Sequence, residues 1–68
     1  MKIAKLLNPL YCIVLNSEEI VRAYFDENKA NEICQKFIKK TGDNLNVVKM
    51  AEMPRRLFAT LVREELIK

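Results

Sequence analysis

The sequence contains one serine and two cysteines, side chains that often act as catalytic nucleophiles, and no histidine that would activate them. Ser17 lies in a polar run typical of a turn, whereas Cys12 and Cys34 lie in apolar stretches. The 68 residues contain no histidine, the side chain that most often acts as a general base near neutral pH. Since a serine or cysteine without an adjacent base is poorly activated, we expect that the protein is not an enzyme.

The paired carboxylates at 18–19 and 64–65 do not indicate acid–base or metal chemistry. Neighbouring side chains of a strand point to opposite faces, so the first pair cannot converge on one substrate atom, and the second pair is typical of a solvated helix face. Gly42 is the only glycine, which excludes a glycine-rich phosphate-binding loop. The cysteines and scattered carboxylates also lack the spacing of metal ligands. The sequence therefore predicts neither a cofactor nor a metal ion.

The two cysteines favour a reducing compartment. A disulfide-stabilised protein of this size normally has four or more cysteines, and a free cysteine packs like a small apolar side chain. We therefore interpret Cys12 and Cys34 as reduced core residues of a cytoplasmic protein. Residues 1–9 lack the uninterrupted apolar segment and cleavage site of a secretory signal peptide. No run approaches the ~20 apolar residues that span a membrane, so we expect no membrane partner.

The strands that must position these residues begin with an unbroken apolar run at 10–15. A half-exposed strand alternates apolar and polar residues, so this run predicts a strand that is covered on both faces. Polar residues at 16–19 predict a tight turn, and a second strand follows at about 19–25. Strict alternation would divide that second strand into two faces, with Val21, Ala23 and Phe25 on one and Ile20, Arg22 and Tyr24 on the other.

Two helices are predicted from apolar residues at helical spacing. Asp26 is a good N-cap and Gly42 a good C-terminal stop, so the first helix should occupy about 27–40. After a third strand at 45–52, Pro54 suits the first turn of a second helix over 54–68. The apolar repeat of that second helix consists of Leu57, Phe58, Leu61, Val62 and Leu66.

These elements predict a single α+β domain over residues 1–68 with the order β-β-α-β-α. A hairpin followed by a helical crossover places the third strand beside the first. The expected fold is thus a three-stranded antiparallel sheet of order 2-1-3 with the helices packed on it. Residues 1–9 would form an arm or a short strand, with Pro9 at a bulge or strand start, 10–53 the ββαβ core and 54–68 the C-terminal helix.

Basic side chains on both predicted helices are the candidates for binding an acidic ligand. Arg55 and Arg56 lie at the start of the second helix, where positive charge is unfavourable against the helix dipole, and Arg63 shares a helix face with Arg56. These arginines could bind an acidic partner or a phosphate, or pair with Glu52 or with a neighbouring chain. The net charge of +3 is low for a non-specific nucleic-acid binder. The first helix supplies a second basic group, Lys29, Lys36, Lys39 and Lys40.

Two further surfaces could contact another macromolecule. Tyr11, Tyr24 and Arg22 are predicted on one sheet face, and tyrosine and arginine are enriched at binding hot spots. The C-terminal helix should by default cover the sheet of its own chain, although it could also bind a partner's groove or a second copy. The residues predicted to bind a protein partner are Arg22, Tyr24, Arg55, Arg56 and Arg63.

The hairpin pattern of residues 11–26 and the apolar helix face from Ala30 to Ile38 resemble small accessory proteins encoded by bacteriophages and mobile elements. The likeness does not extend to residues 54–68. It implies a protein that acts in the host cytoplasm by binding and blocking a host protein, such as a polymerase subunit, a nuclease or a defence enzyme.

Taken with the residue-level observations, this resemblance leads us to expect a non-enzymatic binding protein that docks on a macromolecular partner and inhibits or modulates it. The alternative is a small nucleic-acid-binding or transcription-regulatory protein that uses the three arginines and the lysines of the first helix. A homodimeric structural module is the third interpretation, and the mass in solution would distinguish it.

Overall fold

A three-stranded antiparallel sheet carries one helix on each face, in the predicted element order. The computed structural model describes residues 3–67. The central strand pairs with both others, and the strand order β2-β1-β3 confirms the predicted 2-1-3 arrangement. The five elements are β1 (Ile3–Leu15), β2 (Glu19–Tyr24), α1 (Glu27–Thr41), β3 (Leu45–Pro54) and α2 (Arg55–Arg63).

The sheet separates two apolar cores, which explains why residues 10–15 are continuously apolar. Leu10, Cys12 and Ile13 of β1 are fully buried, with Leu10 and Cys12 facing α2 and Ile13 facing α1. The predicted two-sided cover is therefore confirmed, and α2 supplies its second half within the same chain. The α2-side core is Leu10, Cys12, Ala23, Met53 and Leu61, and the α1-side core is Ile13, Tyr24, Ala30, Cys34 and Leu45.

The N-terminal segment is a strand and not a free arm. Ile3, Ala4 and Lys5 pair with the end of β3, and the register then shifts before pairing resumes at Leu10. Pro9 lies inside this shift, as expected for a residue that cannot donate a backbone hydrogen bond. The irregularity lets β1 continue over 13 residues as the central strand.

The β1–β2 connection contains two residues in the left-handed region. Asn16 and Ser17 have φ values of 52° and 60°, and the Glu18 N–H donates to the Leu15 carbonyl oxygen at 3.0 Å. Positive φ at both central residues is the mark of a type I′ turn, whose twist suits a hairpin. Asparagine tolerates this conformation readily, whereas serine does so at some cost.

A register shift after the turn corrects the predicted alternation of β2. Ile13 pairs with Arg22 and Val14 with Ile20, which leaves Val21 as the extra residue of a β-bulge. Ile20 and Ala23 therefore face α2, whereas Val21 packs on the α1 side with Tyr24. The sequence prediction that Val21 and Ala23 share a face was wrong, because a bulge reverses the alternation from that point onward.

Helix α1 is capped at both ends by the predicted residues. The Asp26 carboxylate accepts hydrogen bonds from the N–H groups of Asn28 and Lys29 at 2.9 and 3.3 Å. At the other end Gly42 has a φ of 74°, and its N–H donates to the Ile38 carbonyl oxygen at 2.7 Å. These caps position the α1 residues that close the core on its side of the sheet.

Helix α2 ends at Arg63, earlier than the predicted limit of 68. Glu65 adopts a φ of 56°, the Glu65 N–H donates to Val62, and the Leu66 N–H donates to Leu61 at 2.9 Å. These bonds form a Schellman motif, in which the left-handed residue turns the chain out of the helix. Leu66 and Ile67 consequently leave the helix and pack on the α2-side core.

Candidate partner-binding surface

The three arginines of α2 are exposed and have no ion pair with any residue from 3 to 67. Arg55, Arg56 and Arg63 are all solvent-exposed. The single side-chain ion pair within residues 3–67 joins Lys36 Nζ to Glu32 Oε1 on α1, at 3.5 Å. Pairing of the arginines with Glu52, one of the two explanations that the sequence left open, is thus absent from the structure. Their charge is available to another molecule.

The start of α2 is electrostatically unfavourable as it stands. Pro54 occupies the N-cap position without a side-chain hydrogen bond, and the first turn contains no acidic residue. Instead it carries Arg55 and Arg56 at the positive end of the helix dipole, where each charge costs about 0.3–1 kcal/mol. A local conflict that no residue from 3 to 67 relieves is typical of a functional position. An anionic group of a partner would relieve it.

An apolar groove lies along one flank of α2. Phe25 and Val62 are 48% and 54% exposed and lie in one groove, unlike the other exposed large apolar residues, Ile3, Leu7 and Val48. Together with Phe58, Glu65 and Ile67 they line a groove of about 480 Å³. Exposed aromatic and aliphatic side chains bordered by a charged residue are typical of protein contact surfaces.

Sequence reasoning missed this groove because it assigned Val62 to the buried stripe of α2. In a nine-residue helix the stripe that contacts the sheet is narrow: Leu61 is 1% exposed, whereas Val62, 100° further round the helix, is half exposed. Phe25 was likewise counted as a strand residue, although β2 ends at Tyr24 and Phe25 precedes the Asp26 cap. No periodicity in the sequence marks either side chain as exposed.

The other predicted partner-binding residues lie on the α1 side of the sheet. Tyr24 is 6% exposed within the α1-side core, opposite Tyr11 of β1, so its ring is committed to packing. The Arg22 guanidinium lies 5.8 Å from the centre of the Phe37 ring, a cation–π contact. The structure therefore does not bring Arg22 or Tyr24 together with the arginines of α2.

The four lysines of the nucleic-acid alternative are exposed on α1. Because α1 and α2 cover opposite faces of the sheet, a nucleic-acid strand that follows one face could not contact the lysines and the α2 arginines together. Glu32 also neutralises part of this group through its pair with Lys36. These lysines are Lys29, Lys36, Lys39 and Lys40.

The potential nucleophiles are placed where they cannot converge. Cys12 and Cys34 are unpaired and buried on opposite sides of the sheet. Burial raises the pKa of both thiols, which disfavours the reactive thiolate. Ser17 is exposed in the β1–β2 turn. Across residues 3–67, no three side chains of the metal-binding types are grouped closely enough to hold an ion.

None of the described helices combines the length and apolarity required to cross a membrane. The chain matches no protein-family model, no curated protein and no solved structure.

Proposed function

We propose that this protein is a non-enzymatic binding module that docks the outer surface of α2 on an acidic site of a protein partner and thereby inhibits or modulates that partner. The observation that carries the proposal is the set of three exposed arginines, Arg55, Arg56 and Arg63, without an ion pair in the described chain. Two of them oppose the dipole of their own helix. A basic surface that costs stability and is not neutralised internally supports recognition of an acidic partner.

A protein partner is favoured over a nucleic acid by the number and distribution of the basic residues. Phosphate recognition requires positive charge and hydrogen-bond donors, and each neutralised phosphate needs its own Lys or Arg. The net charge of the chain is only +3, which is low for a surface that must neutralise many phosphates. The separation of the lysines from the arginines also supports this choice.

Inhibition or modulation of the partner is proposed from the resemblance to phage and mobile-element accessory proteins. The two unpaired, buried cysteines support action in the cytoplasm, which would be the host cytoplasm for a phage-encoded protein.

The test is affinity capture of partners from the source cell's lysate, followed by binding measurements with the purified partner. The variant Arg56→Glu/Arg63→Glu reverses two charges on α2. Its matched control, Lys29→Glu/Lys39→Glu, makes the same change in net charge on the opposite face. We expect the α2 variant to weaken binding of the purified partner about tenfold or more, mainly through slower association, and the control to bind normally.

Two outcomes would overturn the proposal. Equal loss of binding in both double variants would show that only net charge matters. Retardation of DNA or RNA with a steep salt dependence, together with capture of no specific protein, would favour the nucleic-acid alternative.

A further inference from the structure

One flank of α2 has charge at its two ends and apolar residues between them. Phe58 and Val62, four residues apart, are neighbours on the helix surface and line the apolar groove. Arg55 lies three residues before Phe58, and Glu65, which also borders the groove, lies three residues after Val62. The order along the flank is therefore positive, apolar, apolar and negative.

This order is self-complementary in an antiparallel arrangement. Phe58 and Val62 are each two positions from Thr60. Arg55, the first residue of α2, is five positions before Thr60, and Glu65, which follows the helix cap and borders the same groove, is five positions after it. A two-fold axis at the level of Thr60 would therefore place Phe58 against Val62 of a second copy. The same axis would place Arg55 against Glu65 of that copy, twice by symmetry.

We propose that the flank of α2 formed by Arg55, Phe58, Val62 and Glu65 is a homodimer interface that pairs two α2 helices antiparallel. A second copy covers the exposed parts of Phe25 and Val62 and opposes the two helix dipoles favourably. A parallel pairing would instead place Arg55 against Arg55. An acidic partner would face Glu65 at the groove, so it suits this flank less well than a second copy does.

The proposed dimer uses Arg55 and the apolar groove but leaves the other two arginines of the proposed function free. Arg56 and Arg63, seven residues apart, share a stripe that points away from the Phe58–Val62 flank by about a quarter turn of the helix or more. Dimerisation leaves that stripe exposed on both copies. The contact comprises one short helix with Phe25 and Ile67, which is small for a specific interface. We therefore expect reversible association in the micromolar range.

The experiment is sedimentation equilibrium of the full chain over a series of concentrations at low salt. We expect the mass to rise from 8.0 kDa to twice that value. The single variants Arg55→Glu and Glu65→Arg should each weaken association about tenfold or more, because like charges then face each other at both ends. An equimolar mixture of these two variants should restore association, since opposite charges again meet at both ends.

Further variants identify the surface. Val62→Glu should abolish association, and it should fold because Val62 is half exposed; far-ultraviolet circular dichroism and the melting temperature verify this. A Lys49→Glu variant on the free edge of β3 should leave association unchanged. A wild-type chain that stays monomeric at every concentration overturns the proposal. So does a dimer that tolerates Val62→Glu, or a charge-swapped mixture that fails to associate.

Discussion

The backbone N–H of Ala23 donates a hydrogen bond to the carbonyl oxygen of Leu66 at 2.8 Å, and Ile67 forms a parallel bridge with Ala23. The chain end thereby satisfies part of the open edge of β2. It also holds Leu66 and Ile67 against the α2-side core, and Ile67 lines the apolar groove. The segment after α2 is thus part of the domain's packing, and the geometry of the groove depends on it.

Leu61 is expected to contribute most of the attachment of α2 to the sheet. It is 1% exposed, so Leu61→Ala should lower the free energy of unfolding by about 2–5 kcal/mol. The neighbouring Val62→Ala is the matched control and should cost about 1 kcal/mol or less, because half of that side chain is already exposed. Urea denaturation at low protein concentration measures the free energy of unfolding of both variants. Equal losses would contradict the orientation of α2.

The Schellman motif after α2 predicts that one glycine substitution stabilises the protein. Glu65 has a φ of 56°, which costs a residue with a Cβ about 1 kcal/mol, whereas glycine adopts it freely. Glu65→Gly should therefore raise the free energy of unfolding by about 0.5–1 kcal/mol. Glu64 has a φ of −89°, so Glu64→Gly should instead lower it by a similar amount. Thermal unfolding measures the stability of the two variants against the wild type. A Glu65→Gly variant that is less stable than the wild type would contradict the left-handed conformation of Glu65.

The fold was predictable where a local residue preference and a long apolar pattern agree. The unbroken run at 10–15 indicated the central strand, and Asp26 and Gly42 bounded α1 because an N-cap carboxylate and a left-handed glycine are the common solutions at helix ends. The end of α2 was not predictable in this way. Glutamate is a poor residue for the left-handed region, and Glu65 is held there by the packing of Leu66 and Ile67.

The binding surface was predictable only in part. The conflict between Arg55, Arg56 and the helix dipole is visible in the sequence, and the structure shows that no residue within 3–67 pairs with either arginine. The apolar groove depends on how far α2 is rotated on the sheet, which its apolar spacing alone does not define. The bulge at Val21 leaves no trace in the apolar pattern either, because both faces of β2 are apolar.

The cysteine thiols are expected to be unreactive in the native state. Cys12 and Cys34 are buried on opposite sides of the sheet, so both should react with a thiol reagent only at the rate of unfolding, and rapidly in urea. Measurement with a chromogenic disulfide reagent with and without urea tests this. Fast reaction of both thiols in buffer, or an internal disulfide, would contradict the structure.

The same thiols predict a loss of stability in alkali. Burial raises the folded-state pKa of both above the ordinary value of 9.0, so the unfolded chain loses its thiol protons first. The stabilising contribution is therefore full below pH 9.0 and declines as the pH rises toward the folded-state values. In Cys12→Ala/Cys34→Ala this component of the decline should be absent. Urea denaturation at a series of pH values measures the stability of both proteins. If the variant and the wild type lose stability identically as the pH rises, the thiols are not the cause of the loss.

Arg56 and Arg63 lie near opposite ends of the dipole of α2. The same charge reversal should therefore have opposite effects on stability at the two positions, which distinguishes a role in binding from a role in stability. Arg56→Glu should raise the free energy of unfolding by about 0.5–1 kcal/mol, since it replaces a cation by an anion at the positive end. Arg63→Glu makes the same change in charge near the negative end and should lower stability by a similar amount. Both effects should shrink in 1 M salt, where the Debye length is about 3 Å.

Both variants should nevertheless bind the acidic partner more weakly than the wild type. Urea denaturation and partner affinity measured on the same two proteins test this, and a binding loss that followed the stability change would show that the arginines support the fold and do not contact the partner.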